Sequence, residues 1–260
     1  MEILGCFKPV PDLELLSAAD WTADSDLQVE TAFVRTVWNC FDESGLELML
    51  RAAEDNGAVR LQALTVGTKR NETYLKTLFA LGFAQAVRMD CGEDLRFCPE
   101  WIAQCIRAYL AEHPEIDVVV LGSQSADGSN GQTALLLAEG LGWPCVTQVT
   151  AFSVGTDGAM SVSSMTDEGA LTQTITGPVV LSVGNVSGAY LRVPTMKARR
   201  QLGRQPVTVL PCPEPPPEGA TLCALTAPET GRAAVPVPGD TLEERTKLFY
   251  QRYWKAWVKP

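Results

Sequence analysis

Short apolar runs alternate with amphipathic stretches along the first two thirds of the chain. "EILGCF", "LQALTVG", "AQAVRMD" and "IDVVVLG" are strand-sized and rich in aliphatic side chains. The stretches between them repeat with the helical period. In "FDESGLELMLRAAEDNG", Leu46, Met49, Leu50 and Ala53 share one face, and Asn56-Gly57 marks the stop. "NETYLKTLFALG" takes Asn71 as its N-cap and turns Leu75, Leu78 and Phe79 inward. In "FCPEWIAQCIRAYLAEH", Ile102, Cys105, Ile106 and Tyr109 form one stripe. Strands separated by helices of about a dozen residues predict an α/β fold, a doubly wound parallel sheet covered on both faces.

After Pro144 the period changes. "CVTQVTAFSVG", "AMSVSSMTDEG", "ALTQTITG" and "PVVLSVG" read as strands, with "TDG" and "DEG" as turns. "LPCPEPPPEGA" is excluded from helix and central strand by its prolines and reads as an extended arm. The tail "GDTLEERTKLFYQRYWKAWVKP" predicts a terminal helix capped by Asp240 or Thr241. Its Leu248, Phe249, Tyr250, Tyr253, Trp254 and Trp257 must be buried on their own domain or on another chain. The chain has no internal repeat.

A length of 260 residues, 46% of them hydrophobic and 20% charged, suffices for one domain with an appendage or for two small ones. The apolar runs are too short to span a membrane. "MEILGCFKPVPD" has no basic leader, long apolar core or cleavage site, so a cytoplasmic protein is expected. A net charge of −10 argues against a nucleic-acid partner. "KARRQLGR", residues 197–204, is a basic exception, either a solvated turn or a docking element. The eight cysteines include no CxxC pair and His113 is the single histidine, so no metal site and no histidine-based triad is expected. Cys98 and Cys105 read as small core hydrophobes.

The candidate chemistry lies in "GSQSADGSNGQT", Gly122–Thr133, between the buried run "IDVVVLG" and a helix. Open parallel sheets bind ligands at the carboxyl ends of their strands. Helix N-termini present free N–H groups and a partial positive charge. Gly128 and Gly131 allow close backbone approach, while Ser129, Asn130, Gln132 and Thr133 supply neutral donors. This composition suits an anion held without lysine or arginine; the plainer reading is a solvated loop ending in a cap. GxGxxG and GxxxxGK[ST] are both absent.

The loop resembles the nucleotide-binding stretch of electron-transfer flavoprotein β subunits, G-x-Q-x-x-D-x-x-x-x-Q-T/V, through Gly122, Gln124, Asp127, Gln132 and Thr133. "LGWP" then falls where W-P or I-P is expected. Further landmarks follow in order: "FKPVPD" resembles V-K-x-V-P-D, and "NCFDESGLELMLRAAE" resembles N-P-x-[DC]-E-x-A-[VL]-E-x-A. "ALTVGTKRNETYLKTLFALGFAQAVRM" resembles the family's strand, G-P and helix run, and "AYLRVPTMKARRQ" its Y-x-x-L-P-x-[IL]-M-K-A-K loop. The resemblance spans residues 1–204. The chain departs at "SSMTDEGALTQTITGPVVLS", with Ser164 at a basic position, and at Val193 in place of leucine.

The resemblance implies a Rossmann-like, adenine-nucleotide-binding domain over 1–190. Residues 191–260 would form a docking loop, a proline-rich arm and a C-terminal helix on a partner subunit. It implies an electron carrier rather than an enzyme, paired with an α subunit that holds most of the FAD. AMP or a second FAD would sit in this chain, and an acyl-CoA-type or other flavin dehydrogenase would dock on it, with electron bifurcation a possible role of the complex. Asp127, Asn130, Gln132 and Thr133 should surround the phosphate, with Gly122, Gln124, Gly128, Ser129 and Gly131 completing the loop. Cys6 should lie under the adenine or ribose, Asn39 and Phe41 over the base, and Val66-Gly67 on the other side. For Cys6 and Val66 the alternative is plain core packing, and for Asn39 a helix cap. Tyr190, Leu191, Val193, Met196 and Lys197 would dock the dehydrogenase. Two rivals are a universal-stress-type nucleotide-sensing module and an adenine-nucleotide hydrolase or ligase. The spacing of the first and the metal-binding acid and phosphate-gripping motif of the second are absent from the sequence.

Overall fold

Chain order runs β1 (Glu2–Cys6), β2 (Pro9–Pro11), β3 (Thr36–Trp38), α1 (Cys40–Asp55), β4 (Arg60–Gly67), α2 (Glu72–Leu81), β5 (Gln85–Asp90) and α3 (Pro99–Ala111). It continues through β6 (Ile116–Gly122), α4 (Thr133–Leu141), β7 (Cys145–Val154), β8 (Met160–Thr166), β9 (Gly169–Ile175), β10 (Val179–Val183), α5 (Met196–Gln201) and β11 (Thr208–Pro211). These elements belong to one unit, Met1–Ala224; a second, Leu225–Pro260, carries α6 (Leu242–Phe249) and a π-helical turn at Tyr250–Trp254. The computed structural model describes residues 1–17, 19–92, 95, 97–214, 222–226 and 234–255.

The sheet of the first unit has the order β11-β5-β4-β1-β6-β10-β7-β8-β9. Its members from β11 to β7 are parallel, and β8 and β9 extend it antiparallel. The doubly wound parallel sheet expected from the sequence is therefore present. Alternation along β1 sorts the core into two layers. Ile3 packs with Leu46 and Met49 of α1 and with Leu75 and Leu78 of α2. Leu4 and Cys6 pack on the opposite side with Cys105 and Ile106 of α3 and Leu137 of α4. Between them Gly5 lets α1 lie close, because a Cβ there would meet Met49 Sδ at 2.7 Å.

Three features were not legible in the pattern. β2 and β3 form a separate antiparallel pair, on which Trp38 packs against Phe7 and Tyr74 with ring centroids 5.2 and 4.7 Å apart. This pair holds the entry to α1. The basic stretch 197–204 begins inside a helix, α5, whose N-cap Thr195 accepts from the Ala198 N–H at 3.1 Å. The proline-rich arm begins inside the sheet: Leu210 and Pro211 end edge strand β11, where a missing N–H costs least. The first unit accordingly continues past residue 190 to Ala224. The rest of that arm, 215–220, lies outside the described residues. No helix among the described residues is long and apolar enough to cross a membrane.

Candidate functional site

β4 and β5 lie on one side of β1, and β6 and β10 on the other. The sheet order therefore reverses at β1, and in open α/β sheets the crevice at such a point is the ligand site. A cavity of about 150 Å³ opens there. Cys6, Phe7 and Lys8 line it from the end of β1, Leu64, Thr65 and Val66 from β4, and Leu121 and Gly122 from β6. Ile102 and Ile106 of α3 form an apolar wall, and Ser123, Gln124, Ser125, Asn130, Gly131, Gln132 and Thr133 a polar one.

The polar wall ends on α4. Its N-cap, Gln132, makes no side-chain cap, and its first turn carries no acidic residue. The first N–H groups of that helix thus keep their hydrogen-bonding capacity and the positive end of the helix dipole. Neither Gln132 nor Thr133 hydrogen-bonds through its side chain to another described residue. Gly131 turns the chain into the helix at a φ of +65°, a left-handed conformation that favours glycine.

Two side chains from the start of α1 pin this wall. Asn39 is almost wholly buried; its Nδ2 donates to the Gln124 carbonyl at 2.8 Å, and its Oδ1 accepts from the Ala126 N–H at 3.2 Å. It stands at the N-cap position of α1 but makes no side-chain cap, so its amide serves the loop instead. Asp42 accepts from the Gly122 N–H with Oδ1 and from the Lys8 N–H with Oδ2, both at 2.9 Å. One carboxylate thus ties the exit of β1 to the exit of β6.

Burial pushes the Asp42 carboxyl up to about 6, against the pull of the Lys8 N–H, Asn39 and the Gly122 N–H. Because this pKa is higher folded than unfolded, the folded protein holds the proton more tightly. Stability should therefore fall as pH rises from about 4 to about 6, by on the order of 3 kcal/mol, and level off above. Urea unfolding of wild type and Asp42→Asn at both ends of that window checks this. The wild type should lose ground to the variant as pH rises; parallel pH profiles would contradict the assignment to Asp42. Burial, followed by the neighbouring Asp42, also drives the Cys6 thiol upward and keeps it protonated.

Of the residues expected from the sequence, Cys6, Asn39, Val66, Gly122, Gln124, Asn130, Gly131, Gln132 and Thr133 meet at the cavity. Phe41, Gly67, Asp127, Gly128 and Ser129 do not line it. Phe41 sits behind Gly122, whose Cβ, if present, would lie 2.7 Å from that of Phe41. The Gly67 carbonyl accepts from Arg88 Nη1 and the Cys91 N–H. Ser129 closes a turn on the Ser125 carbonyl, with Gly128 inside it. Asp127 is ion-paired with Lys8. The sequence does not single out Phe7, Lys8, Asp42, Thr65, Ser123, Ser125 or the apolar wall. Lys8 and Asp42 lay within the quoted "FKPVPD" and "NCFDESG" landmarks, but only the folded chain brings them to one place.

The expected docking segment has a firm base and a bare tip. Leu191 is buried, and its N–H donates to Glu43 at 3.2 Å. It belongs to the core rather than the apolar tip, which corrects the sequence expectation. Arg192 donates to Glu47 through Nε and Nη2 at 3.1 and 2.8 Å, and pairs with Glu54. Beyond this anchor Tyr190, Val193 and Met196 are 74, 79 and 67% exposed, beside an exposed Lys197.

The electron transfer flavoprotein domain model matches residues 26–212. Over 262 aligned residues the chain is 30% identical to the protein named "Putative electron transfer flavoprotein subunit YgcR" of Escherichia coli (strain K12), covering all of both chains. It is 27% identical over 253 residues to the electron transfer flavoprotein subunit beta of Mycobacterium tuberculosis (strain ATCC 25618 / H37Rv), covering 94% of this chain and 91% of that one. With the Bacillus subtilis (strain 168) subunit beta it shares 30% identity over 153 residues, 56% of this chain and 59% of that one. The sheet, the order of the landmarks and these matches agree: the chain belongs to the electron transfer flavoprotein family.

Proposed function

We propose that this chain is the β-type subunit of a heterodimeric electron-transfer flavoprotein and that its cavity holds an adenine nucleotide, either AMP or a second FAD. The observation that carries this reading is the meeting of an uncapped helix start, α4, with an apolar wall at the strand ends where the sheet reverses. The wall of Leu64, Leu121, Ile102 and Ile106 suits a flat base. The N–H groups of α4, with Gln132 and Thr133, suit a phosphate. Gly122 leaves the space in which Asp42 reaches the β6 backbone.

A bound flavin would supply the electron chemistry. This chain would hold and orient the nucleotide and shield one side of it from water. The α subunit would carry most of the FAD. The exposed tip at Tyr190, Val193 and Met196, with basic α5 beside it, would meet an acyl-CoA-type or other flavin dehydrogenase in a weak, salt-sensitive encounter. A cytoplasmic location fits this role.

Denaturing the purified complex and identifying the released nucleotides tests the reading. One FAD with one AMP, or two FADs, is the expected content. Gln132→Ala together with Thr133→Ala should weaken nucleotide binding by about 2–3 kcal/mol, at roughly 1–1.5 for each neutral hydrogen bond lost. The variant's thermal transition should match the wild type, since both side chains stand at the rim and not in the core. Full nucleotide content in the variant would show the loop to be a connection only.

A further inference from the structure

The sequence points to an anion site built from neutral donors alone. The fold adds a cation to it. Lys8 lines the cavity, and among the described lining residues it is the one positive side chain. Its Nζ lies 2.9 Å from Asp127 Oδ1 and 2.7 Å from Oδ2, across 119 positions of sequence. Asp127 stands outside the lining, on the loop that leads to α4. We propose that Lys8 is a phosphate ligand of this cavity and that Asp127 holds it in reserve, so that nucleotide binding exchanges a carboxylate for a phosphate.

Three observations support the exchange. The pair is too open to serve as a strut: the Lys8 side chain is 46% exposed and that of Asp127 23%, and ion pairs in such settings add little stability. Both partners hang from pinned backbone. Asp42 holds the Lys8 N–H, and Asn39 holds the Gln124 carbonyl and the Ala126 N–H. The ammonium on its long stem can therefore change partner by rotamer alone. Finally, the other charge in the lining is already committed, because both Asp42 oxygens accept backbone N–H groups. A phosphate approaching the start of α4 would find Lys8 as its mobile counter-charge and Asp127 as the competitor for it.

This inference rests on the nucleotide reading, deepens it, and differs from the sequence expectation that Asp127 contacts the phosphate. The test uses the α/β complex, stripped of the nucleotide in this site and titrated calorimetrically with AMP and, separately, with adenosine. Lys8→Met should weaken AMP binding about tenfold or more, the loss of a charge-assisted contact. Asp127→Asn should strengthen it about two- to fivefold, because an exposed competitor is removed. The double variant should behave as Lys8→Met alone, and adenosine affinity should stay at the wild-type value throughout. Weaker AMP binding in Asp127→Asn would overturn the exchange and return Asp127 to the role of ligand or scaffold. Parallel losses for AMP and adenosine would also overturn it, marking the pair as architectural. Wild-type complex that takes up neither probe would instead overturn the nucleotide reading itself, and the exchange with it.

Discussion

Gly122→Ala should destabilise the first unit by about 3 kcal/mol or more and, on the proposed nucleotide reading, empty the cavity, although it adds a single methyl group. The added Cβ would lie 2.4 Å from Asp42 Oδ1, 2.7 Å from Phe41 Cβ and 2.9 Å from the Asp42 backbone N. None of these atoms is the loose end of a flexible side chain. All belong to the first turn of α1, whose inner face is core: Leu46 and Met49 are essentially inaccessible. Relief would require α1 to move away from β6, breaking the Asp42 bonds to Gly122 and Lys8. Gly128→Ala is the matched control. Its Cβ would meet only Ser125 Oγ at 3.4 Å, an ordinary contact, and it stands outside the cavity lining. Chemical unfolding and nucleotide content of both variants check this. Equal stability of the two would mean that the approach of α1 to β6 is not the constraint on the site.

The contrast between these glycines also marks what the sequence could convey. The loop stands out because it is long and poor in large side chains, and both of its ends, Gly122 to Ser125 and Asn130 to Thr133, do reach the cavity. Period-2 and period-3.6 patterns are enough to place β1, β4 to β10 and helices α1 to α4, because parallel strands are buried on both faces and their helices on one. Local composition, however, made Gly128 and Gly122 equivalent. Which one carries a close contact depends on α1, some eighty positions away in the chain, and no local pattern encodes that distance. Lys8 and Asp127 were equally opaque: each is an ordinary surface residue until β1 and β6 lie side by side. Leu191 shows the reverse error. Among Tyr190, Val193 and Met196 it reads as one more exposed apolar residue, and only the Glu43 and Glu47 anchors on α1 turn it inward. Strand β11 was hidden by its prolines, which forbid a central strand but are tolerated at an edge.

Deleting residues 225–260 should leave the first unit folded and weaken its association with the proposed α subunit about a thousandfold, or abolish it. The sheet, both core layers and the cavity all lie within Met1–Ala224, so the deletion removes none of them. In the second unit α6 is well begun: Thr241 and Glu244 form a reciprocal capping box. Yet its regular α-helical part has only eight residues, and helices shorter than about a dozen are marginal in water without a surface to pack on. The side chains it offers are apolar and open. Leu242 is 81% exposed, and Phe249, Tyr250, Tyr253 and Trp254 also remain exposed. Phe249, Tyr253 and Trp254 form one patch with centroids 5.8 Å from Phe249 in each pair; Trp257, the last of the aromatic series, lies outside the described residues. Burying two or three such side chains contributes roughly 4–6 kcal/mol, which corresponds to about a thousandfold to ten-thousandfold in dissociation constant. Co-purification and sedimentation of the deleted chain with its α subunit measure the effect. Phe249→Ala with Trp254→Ala in the full chain should reproduce most of it, since these rings supply most of the patch. Undiminished association in both variants would assign the heterodimer contact to the first unit, and the exposed face of β9 would then be the surface to mutate.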